Sequence, residues 1–98
     1  MKTLSDFKAS LDLVTPDANL SPQLKALWYD GKGDWHEAHK QVDHLNDPAS
    51  SWVHAYLHRK EGDLWNADYW YRKANKIRPQ CTLDEEWEQL TNAFIQHI

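Results

Sequence analysis

A single cysteine, Cys81, in 98 residues rules out an internal disulfide, so a small cross-linked secreted scaffold is not expected and a reducing, cytoplasmic setting is. Only three glycines and four prolines are present, which leaves little chain for irregular loops or tight hairpins between strands. The prolines, at 16, 22, 48 and 79, stand where helices begin or end. There is no basic excess: the formal charge is −4, so the chain lacks the clustered cations that a phosphate backbone requires, and nucleic acid is not an expected partner. No apolar run approaches the roughly 20 residues of a membrane span. The opening MKTLSDFKASLDLV is interrupted by Ser, Asp and Lys where a signal peptide needs continuous apolar sequence. No membrane association is expected. Gly31 and Gly33 lack the Lys-Ser/Thr continuation of a phosphate loop, and no cofactor is expected.

What is present is a foldable, aromatic-rich composition: 41% apolar and 27% charged residues, with six Trp and four Tyr. The length suits one core and one domain. Six helical segments follow from period and capping chemistry. Leu4, Phe7, Leu11 and Val14 form a first stripe behind the capping pair Thr3 and Asp6. Ser21-Pro22 opens a second helix carrying Leu24, Leu27 and Trp28, which ends near Gly31. Asp34 and Glu37 cap a third with Ala38, Val42 and Leu45, and Asn46-Asp47-Pro48 starts a fourth that Gly62 closes. The fifth opens at Asp63, aligns Leu64, Ala67, Tyr71, Ala74 and Ile77, and is expected to run to Arg78-Pro79. Thr82 and Glu85 cap a sixth with Leu83, Trp87, Leu90, Phe94 and Ile98.

Gly33-Asp34 and Gly62-Asp63, Ala26 and Ala55, and Ala38 and Ala67 coincide at one common offset, the mark of stacked helical hairpins. Ala55, Gly62, Asp63, Ala67, Tyr71, Ala74 and Pro79 stand at the spacings of a tetratricopeptide repeat, and the chain resembles that family over residues 21–79. Its period is shorter than the family's, and Ser51, His54 and His58 replace the large apolar residues of the repeat's first helix. The resemblance implies an all-α fold of five or six short antiparallel helices: an N-terminal helix and loop over 1–20, two hairpins over 21–79 and a capping helix over 80–98. The stretch WVHAYLHRKEGDLWNADYWYRKA is also similar to a group of small bacterial proteins without an assigned activity, which implies the fold and leaves the function open.

No complete catalytic set is visible, and the expected function is a non-catalytic protein-interaction module. Trp52, Tyr56 and Arg59 recur at helical steps with Lys60 adjoining, and the tetratricopeptide resemblance implies a groove there for a carboxylate-bearing peptide. On the fifth helix Trp65 and Tyr69 point away from the core stripe beside Arg72 and Lys76; this second stripe is either covered by Trp87 and Leu90 of the sixth helix or serves a partner or a second copy. A self-associating structural subunit is therefore one alternative. The other is a His-dependent metal-binding protein or enzyme: His54 and His58 are four apart with Glu61 one turn on, although two ligands do not complete a zinc site and a structural role is the plainer reading. DWHEAHK misses the metalloprotease spacing, since His36 and His39 are three apart, and reads as solvated surface.

Overall fold

The computed structural model describes residues 3–95, which contain six helices and no strand: α1 Leu4–Ser10, α2 Pro22–Gly31, α3 Trp35–Val42, α4 Pro48–Glu61, α5 Leu64–Lys73 and α6 Leu83–Ile95. Their starts follow from side-chain capping. Thr3, Ser21, Asp34, Asp47 and Asp63 each accept a hydrogen bond from the backbone N–H three residues on, which satisfies a donor that the helix itself cannot. At α6 the box closes in both directions, with Glu85 N–H donating to Thr82 Oγ1 and Thr82 N–H donating to Glu85 Oε1, both at 3.1 Å.

The hairpins α2–α3 and α4–α5 turn in the same way. Gly33 (φ 84°) and Gly62 (φ 89°) take the left-handed conformation, and the N–H of the next residue returns to the helix before it, Asp34 to Tyr29 O at 2.9 Å and Asp63 to His58 O at 3.0 Å. Ala26, Ala38, Ala55 and Ala67, the paired alanines of the repeat, are all fully buried, as close helix approach requires. The main core gathers Phe7, Leu24, Leu27, Trp28, Val42, Val53, Leu57 and Leu90. Trp28 Nε1 donates to Ser10 O and Trp87 Nε1 to Leu27 O, tying α1 and α6 to α2. Gly31 lies where this packing is tightest, since a Cβ there would meet Leu11 at 3.0 Å and Trp87 at 3.3 Å.

Four stripes differ from expectation. α3 stops at Val42, so Leu45 lies in the loop beyond it. α1 stops at Ser10, so Val14 lies beyond it and is 93% exposed. α5 stops at Lys73 because Asn75 adopts φ 61° and turns the chain; Ile77 is then 91% exposed instead of continuing the stripe. α6 does not cover Trp65 and Tyr69: it packs on α1, α2 and α4, and its Trp87 and Leu90 enter the main core. Ile98, assigned to the sixth stripe, lies outside the described residues.

Candidate functional site

The α4 face carrying Trp52, Tyr56, Arg59 and Lys60 already has its carboxylates, supplied by α2 and α6. Tyr56 Oη donates to Asp30 Oδ2 at 2.6 Å and Lys60 Nζ to Asp30 Oδ1 at 2.8 Å. Glu86 is fully buried and accepts from Arg59 Nη1 at 2.8 Å, Tyr71 Oη at 2.7 Å and Trp52 Nε1 at 3.2 Å, while Arg59 Nη2 donates to the Cys81 carbonyl. Burial with charge on every side is tolerable only because each carboxylate is so completely bonded. The phenols of Tyr56 and Tyr71 are pushed far above their ordinary range, first by burial and then by the adjacent Asp30 and Glu86.

The four residues do not meet in one groove. Tyr56 and Lys60 open onto a cleft of about 420 Å³ whose two cations are already spent on its own acids, Lys60 on Asp30 and Lys8 on Glu88, with Asp84 beside them. Trp52 lines a separate cleft of about 400 Å³ and has Lys76 Nζ over its ring at 4.1 Å. Lys76 is thereby drawn away from Trp65 and Tyr69, with which the sequence grouped it. α6 covers the other end of this face, where Glu86 binds the polar groups and Phe94 meets Trp52 edge to face at 5.8 Å, while Leu11 of α1 lines the cleft beside Tyr56 and Lys60.

The outward face of α5 is different. Trp65 is 76% exposed, and its ring lies nearly parallel to that of Tyr69, at 9° and 6.5 Å between centroids. Arg72 and Lys73 are exposed beside them, with Lys73 Nζ over the rings of Tyr69 at 5.4 Å and Trp70 at 4.7 Å. Leu64 adds a half-exposed aliphatic chain.

From Tyr69 the aromatic contacts run inward. Tyr69 meets Trp70 edge-on, and Trp70 stacks on His54 at 4.0 Å. His54 stacks on His58, one turn along α4, at 4.7 Å, and its Nε2 lies 3.0 Å from Nε2 of His39 on α3. His39 in turn stacks on Trp35 at 4.9 Å and 12°, and Trp35 Nε1 donates to Leu57 O at 2.8 Å. His58 Nδ1 pairs with Glu61 Oε1 at 2.6 Å, so the pair that the sequence singled out is joined to Glu61 as its spacing suggested. His39 is the addition. DWHEAHK was read as surface because it failed one motif, yet its own Ala38 packs inward and α3 packs against α4. Burial, then the neighbouring His39 and His58, pushes His54 down to about 3, and burial lowers His39 in the same direction.

No helix among the described residues is long and apolar enough to cross a membrane. Comparison with protein families, with curated proteins and with solved structures finds no match to this chain.

Proposed function

We propose that the chain is a non-catalytic protein-interaction module, two tetratricopeptide-like hairpins with added end helices, and that the outward face of α5 takes a protein segment bearing carboxylates beside apolar side chains. The observation that carries this reading is the Trp65–Tyr69 pair, the only exposed aromatic side chains among the described residues, the other Trp, Tyr and Phe being buried or half-buried. Exposed aromatics flanked by cations supply the area and the charge found at the centres of interfaces. Asp68 beside them is held by Arg78 at 3.2 Å, whereas Arg72 has no ion-pair partner among the described residues. A second copy is the poorer occupant, because a two-fold contact would set the Arg72 and Lys73 cations of one chain against those of the other.

Random-peptide display against the whole chain tests this. Sequences pairing Asp or Glu with Phe, Leu or Ile should be enriched. Trp65→Ala and Arg72→Glu should each weaken the best peptide at least about tenfold, the loss of a single anchor contact, with Tm unchanged and with binding falling as salt rises. Enrichment of neutral or basic sequences, or equal binding by Trp65→Ala, would remove the reading, and concentration-dependent dimerisation lost in Trp65→Ala would replace it with self-association.

A further inference from the structure

Three imidazoles from two helices converge inside this fold without any motif to announce them. His39 on α3 and His54 and His58 on α4 each offer a ring nitrogen, and these three atoms lie within 4.8 Å of one another. A tetrahedral zinc ion with Zn–N bonds near 2.0–2.1 Å places its ligand nitrogens about 3.3 Å apart. The His39 Nε2 to His54 Nε2 distance of 3.0 Å is already close to that value. We propose that His39, His54 and His58 bind one borderline divalent transition-metal ion, zinc by preference, through their Nε2 atoms.

The geometry selects those nitrogens. His58 Nδ1 is engaged by Glu61 at 2.6 Å, which leaves Nε2 as its free lone pair. His39 Nδ1 faces Asp43 at 3.6 Å while its Nε2 faces His54. The His58 ring is thus oriented from behind by a carboxylate, the arrangement that fixes the tautomer and raises the basicity of metal-bound histidine, and Asp43 stands near His39 on the corresponding side. Imidazole nitrogens suit zinc, copper, nickel and iron and do not suit calcium or magnesium, which take oxygen ligands.

The surroundings carry the same implication. Trp35 stacks on His39 and Trp70 on His54, so indole rings bracket the cluster and limit rotation of two ligands. His54 is 4% exposed, and its Nδ1 is buried with no hydrogen-bond partner. Without a metal, His39 and His54 hold their two Nε2 atoms together through a single proton. Three protein nitrogens leave a fourth position for water or for a ligand atom from outside.

The test uses the full chain, freed of metal with a chelator and titrated with zinc alone. One ion should bind per chain, and Co2+ substituted for zinc should give the intense visible bands of four-coordinate cobalt. His39→Gln and His58→Gln, at the two less buried positions, should each weaken binding by 100-fold or more while the helical circular-dichroism spectrum is kept. Glu61→Gln touches no metal, and as a positioning change it should weaken binding by about 10- to 100-fold. A variant lacking His36 and His44, exposed imidazoles outside the cluster, should bind as the parent does. Zinc held no more tightly by the parent than by His39→Gln, or a pale six-coordinate cobalt spectrum, would overturn the proposal and leave a neutral hydrogen-bonded cluster.

Discussion

Arg59→Glu should strongly destabilise the domain. Arg59 pairs with Glu86, whose side chain is 1% exposed, and removing one partner of a buried ion pair costs about 3–5 kcal/mol because the remaining charge is stranded away from water. The substituted carboxylate adds repulsion at the same spot. Against a total stability of about 5–15 kcal/mol for a domain of this kind, the loss is a large fraction. Tm should therefore fall by about 15 °C or more in a thermal melt followed by circular dichroism. Arg59→Met combined with Glu86→Leu should recover part of it, since a well-packed apolar pair can replace a buried ionic one; the recovery is partial because Tyr71 Oη and Trp52 Nε1 lose their acceptor. A melt of Arg59→Glu within about 3 °C of the parent would mean that Glu86 is not held as described.

Stability should also fall steeply below neutral pH, for a reason separate from the carboxylates. His54 titrates at about 3 in the folded chain against an ordinary 6.5, chiefly because burial penalises the imidazolium, with His39 and His58 adding to the effect. Between those values the unfolded chain binds a proton that the folded chain refuses, so stability present above pH 6.5 is lost as pH falls through the window. At about 1.4 kcal/mol per unit, His54 alone removes about 2–3 kcal/mol between pH 6.5 and 4.5. His39 acts in the same direction. Asp43 opposes the shift of His54, and Lys73 reinforces it. Urea unfolding in chelator at pH 7 and at 4.5 should show this loss in the parent and a clearly smaller one in His54→Phe, whose ring can keep the stack on Trp70. Equal losses in both would assign the pH dependence elsewhere.

Helix starts were legible in the sequence because a cap is local chemistry: Thr3, Ser21, Asp34, Asp63 and Thr82 act on the next three residues, and each starts its helix as read. Ends were less legible. α5 was carried on to Pro79, the obvious breaker, whereas Asn75 turns the chain sooner with a positive φ that asparagine accepts without advertising it. Period showed which residues form a stripe and was silent on what covers it. The partner of Lys60 and Tyr56 is Asp30, 30 and 26 residues away, and that of Arg59 is Glu86, 27 residues away; no local pattern connects them. For the same reason a face that reads as a basic, aromatic groove is an internal junction. The histidine cluster was half visible, because His54 and His58 share a helix with Glu61, whereas His39 reaches them only through the packing of α3 on α4.

The aromatic and basic residues divide into an inward set on α4, bonded to Asp30 and Glu86, and an exposed set on α5, the face proposed above for a partner. Backbone and indole amide resonances of the whole chain, followed by NMR during titration with the best displayed acidic peptide, test that division most directly. Shifts should concentrate over Leu64–Lys73, including the Trp65 indole, with the Trp52 indole and the amides of Arg59 and Glu86 unmoved. Shifts centred on Trp52, Tyr56 and Arg59 would contradict it and return the binding surface to α4.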